Sequence, residues 1–463
     1  MRPDESVLES LESCGSDAST FGGTVDSGSF SGYGPFTLNR MLPGLSSLIS
    51  SLVPEFLRFA RDLSRQGAAS RRRRQFLGPG PNRPRNVSYK PDATSPGSSG
   101  MIWATKSMRR ALLTVSVAVS LSSPIWFSRG AILHAADDLV LTRFSEYLDS
   151  LRTQAGIPGL TATIVGPSDV QWERAFGQQD IERSISTLPD TAFHLDAVTQ
   201  IFTATMILRC VEEGRLSLDE RIGTYVPNAS EPGATLRQLL THTSGPPDNL
   251  VFSYRPARLD VLASAVSICT GDSFRTVTGA MLERAVMFDS TPGPDVLQVS
   301  PPPFPSSTMD RYRSALGRLA TPYSVDSQGR ASQSRYAATT LTASTGLVST
   351  VRDVAKFDLA LKRGTVLRSD TVARAWTAPV GRLGQAMPHG LGWFVQGYSG
   401  EPVVWQFGIG DNGSSSMVIT LPRRGLTLIM LANSDGLVKH FPLAAGDLTV
   451  SPFGRLFLGV FVR

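Results

Sequence analysis

The sequence predicts an α+β fold, in which an antiparallel sheet is flanked by helices and accompanied by a helical subdomain. Two observations predict it. β-rich segments occur near both ends of the region 137–463, and the chain between them, at about residues 219–380, shows mostly helical and loop patterns. We therefore expect one domain over 137–463, whose sheet is closed by strands from both of its ends and whose middle forms a helical insertion.

The first part of this domain contains a helix, a strand pair and a second helix. Residues 139–155 have helical periodicity, and the segments GLTATIVGP (159–167) and VQWERAFG (170–177) have the composition of two strands joined by a turn. A second helical pattern covers residues 202–213, and Gly214 follows it as a stop signal. We expect the strand pair to form the N-terminal hairpin of the sheet.

The last part of the domain contains a second strand pair. The segments SSSMVITL (414–421) and LTLIMLANS (426–434) are β-rich, and the intervening PRRG is typical of a hairpin turn. We expect this hairpin to supply the C-terminal strands of the sheet.

The composition is that of a large globular chain. The 463 residues carry a formal net charge of +6, with 41% hydrophobic and 18% charged residues, which argues against a collagen, a coiled coil, a disulfide-rich scaffold or a polytopic membrane protein. The three cysteines allow at most one disulfide. Cys210 and Cys269 lie in apolar helical patterns, where a free thiol behaves as a small buried hydrophobe. Neither the cysteines nor the five histidines have metal-ligand spacing, so we expect no metal and no cofactor.

Residues 1–107 form a low-complexity prefix that we expect to be disordered. They are rich in Ser, Gly, Pro and Arg, and such a composition buries too little apolar surface to offset the entropy of ordering the chain. The four arginines at 71–74 could contact nucleic acid or anionic lipid. We favour a solvated basic tract and expect no nucleic-acid partner, because no aromatic residues alternate with these arginines and acidic residues lie nearby.

Residues 108–136 have the anatomy of a secretory signal peptide: a positive start (MRR), an apolar core over 111–127 and a small-residue exit. Signal peptides begin chains, so we expect translation to start at Met101 or Met108 and the upstream stretch to be a mis-called extension. The alternative is a long cytoplasmic tail before a signal-anchor. Either way we expect an exported protein, periplasmic or secreted, with membrane contact only through 111–127 if that segment is not cleaved.

Four short segments occur in the order that they have in one enzyme superfamily. They are EGRLSLD (213–219), LLTHTSG (239–245), TGLVST (345–350) and GLGW (390–393). With them, the region from about residue 139 to 433 resembles the serine beta-lactamase and penicillin-binding protein superfamily, in particular its class C and esterase-like branch. The resemblance implies the beta-lactamase/transpeptidase-like fold and an acyl-transfer site built from three motifs.

The first motif of that superfamily, Ser-x-x-Lys, supplies the nucleophile and its base on one face of a buried helix. Residues 193–204 (FHLDAVTQIFTA) align with it without gaps, so Ala197 stands at the nucleophile position and Gln200 at the lysine position. Alanine has no nucleophilic group, and a glutamine amide does not titrate. The resemblance therefore implies that both members of the catalytic pair, the serine and the lysine, are missing from this chain.

The other two motifs are partly kept. In Tyr-x-Asn, Tyr254 stands at the tyrosine position, while Pro256 replaces the asparagine that helps to place the substrate amide. In the third motif Gln406 replaces a cation that holds the substrate carboxylate, Gly408 is retained, and Ser414 begins the serine run that follows. Tyr254 is the one catalytic residue that we expect to be retained, and the former cleft is expected to be lined by Ala197, Gln200, Pro256, Gln406, Gly408 and Ser414.

The sequence leaves three hypotheses about function. None of the five lysines follows a serine by three positions, and no Gly-x-Ser-x-Gly segment occurs, so the leading hypothesis is an inactive hydrolase homologue. Its cleft would be a scaffold or would hold a small-molecule or peptidoglycan-like ligand. The second is a divergent hydrolase that acts on an ester or amide with a relocated nucleophile. The third is a basic binding module, in which residues 1–100 contact nucleic acid or lipid.

Overall fold

The computed structural model describes the backbone of residues 127–246, 249–381 and 384–462, and the side chains in these ranges from residue 138 onward. The predicted prefix 1–107 and residues 108–126 of the predicted signal segment lie outside the described residues. Within the described ranges, no helix combines the length and the apolar character needed to cross a membrane.

The described part of the chain contains strands that we number in chain order. They are β1 (Gly159–Val165), β2 (Val170–Asp180), β3 (Ile185–Ser186), β4 (Phe193–His194), β5 (Thr243–Ser244), β6 (Val251–Phe252), β7 (Tyr323–Val325), β8 (Ala331–Gln333), β9 (Val348–Ser349), β10 (Phe394–Tyr398), β11 (Glu401–Gly410), β12 (Ser414–Leu421) and β13 (Leu426–Ala432).

The helices of the same ranges are numbered likewise. They are α1 (Phe127–Gln154), α2 (Thr199–Glu212), α3 (Ile222–Tyr225), α4 (Leu236–Leu240), α5 (Leu262–Thr270), α6 (Phe274–Arg284), α7 (Ser306–Gly317), α8 (Val351–Lys362), α9 (Ser369–Ala375) and α10 (Pro452–Phe461). Helix α1 begins earlier than the periodicity predicts, because the segment before residue 139 contains three alanines, at 131, 135 and 136, which favour a helix.

A seven-stranded antiparallel sheet joins the two ends of the domain. Its strand order is β10-β11-β12-β13-β1-β2-β3, so the last strand of the chain, β13, pairs with the first, β1. Every residue of β1 and of β12 is buried, because α8 packs against β1 and β13 while α1 packs against β2 and α10. The predicted α+β fold, with a sheet closed from both ends, is confirmed.

The helices between β4 and β9 make up a helical subdomain, which also carries the short strand pairs β5-β6 and β7-β8. Its central element is α2, which packs against α5 and α6, and eleven of its fourteen residues are buried. Gly214 ends this helix in the left-handed conformation at φ +70°, which a glycine adopts without steric cost. The subdomain therefore holds the N-terminal end of α2 against the sheet, where the predicted site residues lie.

A disulfide joins Cys210 on α2 to Cys269 on α5. The prediction of two free buried thiols is therefore wrong. Helical periodicity places each cysteine on an apolar face, but it does not say which two helices pack together. The packing of α2 on α5 brings the two Cα atoms to 6.3 Å, which is within the range of a disulfide.

Removal of this disulfide is expected to destabilise the fold. The bridged cysteines are 59 residues apart, and closing a loop of that length lowers the entropy of the unfolded chain by an amount worth about 4 kcal/mol. We expect the double variant Cys210→Ala/Cys269→Ala to lose stability of that order in urea unfolding of the full chain. The control Cys14→Ser leaves both bridging residues in place and should match the parent. Three reactive thiols in the unreduced, unfolded parent would contradict the bridge.

Candidate functional site

The entry to α2 lies directly against strand β11. Ala197 belongs to a 3₁₀ turn, Asp196–Val198, that leads into α2, and Gly408 of β11 faces this turn. A Cβ atom on Gly408 would lie 2.3 Å from the carbonyl oxygen of Leu195 and 2.8 Å from the backbone nitrogen of Ala197. Contacts that short are sterically forbidden, so the approach of the turn to the strand depends on glycine at this position.

Gln200, one turn along α2 from Ala197, is fully buried and hydrogen-bonded at both ends of its amide. Its Oε1 lies 2.9 Å from Nε2 of His242, and its Nε2 donates to the hydroxyl of Tyr254 at 3.1 Å. The Nδ1 atom of His242 accepts from the backbone N–H of Arg255 at 3.3 Å. The proton of the neutral ring is therefore on Nε2, which donates to Gln200.

The hydrogen-bonded chain continues beyond Tyr254 onto the sheet. The Tyr254 hydroxyl donates to Oε1 of Gln406 on β11 at 3.2 Å, and Nε2 of Gln406 donates to the carbonyl oxygen of Gly392 at 3.3 Å. The series starts at the backbone N–H of Arg255 and ends at the carbonyl oxygen of Gly392. Each side chain between them accepts a hydrogen bond from the group before it and donates one to the next. Hydrogen bonds aligned in one direction polarise one another, so the chain is favoured as a unit. We call it the amide chain, defined by His242, Gln200, Tyr254 and Gln406.

Aromatic rings surround the amide chain. The ring of Tyr254 lies 4.9 Å from that of Phe394 and 5.3 Å from that of Phe407, and the ring of His242 lies 4.7 Å from that of His389. This packing removes water from the polar groups and disfavours their charged forms. Burial, with the nearby His389, Arg258 and Arg255, holds the pKa of His242 well below its usual value.

Two other pKa values near the amide chain shift for the same reason. Burial lowers the pKa of His389 to about 4 and raises the pKa of Tyr254 well above its usual range, although the hydrogen bond from Gln200 opposes the second shift. The histidines are therefore neutral and the phenol keeps its proton at pH 7. An acyl-transfer site needs a nucleophile and a base, and the amide chain contains neither.

A second polar cluster lies behind the turn that carries Ala197. Asp196 is fully buried at φ +47°, and its Oδ2 accepts from the Ser414 hydroxyl at 2.8 Å. Burial raises the pKa of Asp196 to about 6, although the hydrogen bonds from Ser414 and from the backbone of Gly410 lower it. Beside it, the ring of His194 stacks on Tyr336 at 3.9 Å, and burial lowers the pKa of His194 to about 4.

The structure brings most of the predicted positions together. Gln200, Tyr254 and Gln406 are linked by hydrogen bonds, and Gly408 lies against Ala197. Pro256 begins a 3₁₀ turn two residues after Tyr254 and is half-buried.

Ser414 is predicted to line the former cleft, but in the structure it does not face a cleft. Its side chain is buried, and its hydroxyl is engaged by Asp196. The neighbouring hydroxyls of Ser415 and Ser416 donate to the backbone oxygens of Ser434 and Leu195. The reason is that β12 is an inner strand of the sheet, covered on both faces. Gln200, Gln406 and Gly408 are buried as well, so these three predicted cleft positions are closed to solvent.

Several residues of the site were missed from the sequence. The sequence offers a cue to two of them, because Asp196 directly precedes the nucleophile position and His242 lies in the LLTHTSG segment. His389, Phe394 and Phe407 gave no signal, because only the fold brings them to Tyr254. In the described part of the chain, no group of three or more His, Cys, Asp or Glu side chains is arranged to hold a metal ion.

Comparison with known proteins places the chain in one family. The family model described as Beta-lactamase matches residues 144–448. Protein flp of Staphylococcus aureus is 32% identical over 100 residues, which are 20% of this chain and 20% of that protein. Penicillin-binding protein 4 of Amycolatopsis lactamdurans is 30% identical over 108 residues, which are 22% of this chain and 28% of that protein. The chain thus spans only 20% to 28% of the length of these relatives.

Solved structures support the same fold. The octameric penicillin-binding protein homologue from Pyrococcus abyssi superimposes with a TM-score of 0.53 at 20% identity, covering 64% of this chain and 74% of that chain. The class C beta-lactamase from Rhodobacter sphaeroides superimposes with a TM-score of 0.51 at 19% identity, covering 69% of this chain and 98% of that chain. At this identity the likeness concerns the fold alone.

The buried titratable groups predict how stability depends on pH. An unfolded histidine titrates near pH 6.5, whereas His194 and His389 stay neutral in the folded chain down to about pH 4. The unfolded chain therefore binds more protons in this window, and stability is lost as the pH falls. Asp196 acts in the opposite sense, since its folded carboxyl keeps a proton up to about pH 6 and its contribution is lost as the pH rises. Burial also raises the pKa of Asp353 and of Asp358, which act in the same sense as Asp196. The lowered pKa of His242 adds to the histidine side, so we expect the histidines to lower the free energy of unfolding between pH 7 and pH 5 and the three carboxyls to oppose them.

Two substitutions should change this slope in opposite directions. His194→Phe keeps the stacked ring and removes one proton difference, so the slope should become shallower by about 1 kcal/mol per pH unit. Asp196→Asn removes one of the opposing carboxyls and should make the slope steeper. Urea unfolding at pH 5, 6 and 7 measures both, and His440→Gln, at an exposed histidine, is the matched control. Slopes that move together in the two variants would contradict the assignment.

The approach at Gly408 predicts a large cost for one added methyl group. Gly408→Ala must push the turn at residues 195–197 away from β11, and we expect it to lower the free energy of unfolding by about 3 kcal/mol. Gly397→Ala, on β10, is the matched control, because a Cβ at that position meets no atom within 4 Å. It should change stability by no more than about 0.5 kcal/mol in the same unfolding experiment. Equal effects of the two substitutions would be evidence against the close approach.

Proposed function

This chain belongs to the beta-lactamase family, and we propose that it is a member of that family that does not catalyse serine hydrolysis. The observation that carries the proposal is the amide of Gln200. It stands at the position of the catalytic lysine, is fully buried, and bridges His242 and Tyr254 through neutral hydrogen bonds. With Ala197 at the nucleophile position, the site has neither a group to attack an acyl carbon nor a base to activate one.

The contacts of Gln200 also argue that the site has been rebuilt for a neutral side chain. A lysine ammonium has three donors and no acceptor, so it would meet the donating Nε2–H of His242 with nothing to accept it. Reversing the tautomer of His242 would then lose the hydrogen bond from the backbone N–H of Arg255. On this proposal Tyr254 serves the amide chain and not proton transfer, because its hydroxyl already accepts from Gln200 and donates to Gln406.

A remaining ligand site would be confined to the outer edge of the former cleft. Phe252, Tyr254 and Pro256 are half-buried and Arg255 is exposed, whereas the inner motif positions are closed. We propose that the former cleft binds a small-molecule or peptidoglycan-like ligand at this edge and does not turn it over. Stacking on the rings and a charge contact with Arg255 are the interactions that the edge offers.

The disulfide supports the proposal that the protein is exported. Disulfides form and persist in oxidising compartments such as the bacterial periplasm and the extracellular space, and they are rare in the reducing cytosol. The bridge between Cys210 and Cys269 thus agrees with the signal-like segment predicted over 108–136, which we propose directs export.

The proposal predicts no turnover above background. The purified chain should hydrolyse neither a chromogenic cephalosporin nor a short-chain nitrophenyl ester, and a fluorophosphonate probe for activated serines should leave its mass unchanged. A family enzyme with an intact Ser-x-x-Lys motif is the positive control. A stoichiometric adduct would overturn the proposal and favour a divergent hydrolase with a relocated nucleophile, and peptide mapping of the adduct would locate that serine.

Reversion of the motif positions tests how far the site has diverged. We expect Ala197→Ser alone to be inactive, because its hydroxyl would have no base, and Ala197→Ser with Gln200→Lys to gain little. Catalytic residues act as a unit, and each missing contact that stabilises the transition state costs about 2.7 to 4 kcal/mol. Adding Pro256→Asn and Gln406→His should give the largest gain of the series. Family-like ester turnover by the single Ala197→Ser variant would contradict the proposal that the site has been rebuilt.

A further inference from the structure

A cavity of about 330 Å³ lies beside the C-terminal half of α2. It adjoins the amide chain without including its members, since Thr241 and Leu391 line it and are the chain neighbours of His242 and Gly392. Leu208, which lines it, follows Ala197 by eleven residues, so the two are about 16 Å apart along the helix axis. Six separate segments of the chain converge on the cavity, namely α2, the loop after it at Leu218, α4, α9, the loop at residues 377–379 and the segment before β10 that carries Leu391. None of these lining residues belongs to the three motifs, and the cavity is independent of the proposed function.

The walls of the cavity are mainly apolar. Leu208 and Leu391 are buried at its base, and Val211, Leu218 and Ala378 are half-buried along its sides. A dry apolar cavity of about 150 Å³ is large enough to bind benzene, so this one has room for a body roughly twice that size. The interior therefore favours a compact apolar group over a sugar or a peptide backbone.

The mouth of the cavity is cationic. Arg237 and Arg374 are exposed there, and no carboxylate is present among the described residues that line the cavity. The guanidinium of Arg237 is already held by both carboxylate oxygens of Asp219, at 2.7 and 2.9 Å. Arg374 donates one long hydrogen bond to the Thr371 hydroxyl at 3.3 Å, the Asp370 carboxylate is 3.8 Å away, and 65% of the arginine side chain is exposed. Arg374 thus has donors left for an anion at the mouth.

We propose that this cavity binds a small amphiphile that has an apolar body and a single anionic group. The body fills the space between α2 and α9, and the anion pairs with Arg374 at the mouth. A medium-chain carboxylate has this chemistry, and the matched alcohol lacks the charge.

Calorimetric titration of the full chain with decanoate tests the proposal. We expect one decanoate per chain, with decanol binding at least about fivefold more weakly because it cannot pair with Arg374. Arg374→Gln should weaken decanoate about fivefold and leave decanol unchanged. Arg368→Gln is the matched control, because Arg368 is as exposed as Arg374, precedes the same helix and does not line the cavity. Equal losses in the two arginine variants would overturn the anion contact.

Filling the cavity gives the second arm of the experiment. Ala378→Phe and Val211→Phe each place a ring in the cavity from a different wall, and each should weaken decanoate more than tenfold. Near-ultraviolet circular dichroism and the melting temperature show whether a variant is folded. Two filling variants are used so that the test still holds if one of them does not fold. No binding of decanoate to the parent, or full binding to both folded filling variants, would overturn the proposal.

Discussion

The close approach of Gly408 to the turn at residues 195–197 is the contact on which the rest of the site depends. It sets the position of α2 relative to β11, and that position brings Gln200 within reach of Tyr254 and Gln406. Ser416 adds to it by donating to the carbonyl oxygen of Leu195. By the resemblance, a catalytic serine would stand next to this glycine, whereas this chain has Ala197 there. On the proposed function, the scaffold that orients the reaction is present without the groups that perform it.

The amide chain shows how neutral side chains satisfy one another at positions where the resemblance implies charged ones. A buried lysine needs an acceptor or an anion nearby, since desolvating an unpaired charge costs several kcal/mol. Glutamine has about the same reach and offers one acceptor and one donor group, which His242 and Tyr254 satisfy. Gln406 does the same on β11, where the family has a cation. Gln200 and Gln406, which look unrelated in the sequence, are thus joined through Tyr254 in a single neutral network.

Much of the fold could be predicted from the sequence, because β1, β2, β12 and β13 carry strong strand patterns and the family segments occur in order. The motif positions could be predicted too, since gap-free alignment fixes Ala197 and Gln200. The contacts that these residues make could not be predicted from the sequence. The burial of Ser414 depends on β12 being an inner strand, and the bridge between Cys210 and Cys269 depends on which helices pack together. Local patterns do not contain such pairings, which arise only when distant segments meet.

That bridge also changes the connectivity of the molecule. Residues 210–269 form a covalent ring that encloses the LLTHTSG segment and Tyr254, and so contains His242 and Tyr254 of the amide chain. A peptidase that cuts once within this ring produces two fragments that remain linked through the disulfide, so a nicked chain gains only one water and loses no fragment. The bridge therefore protects this part of the protein against the loss of a fragment after a single cleavage.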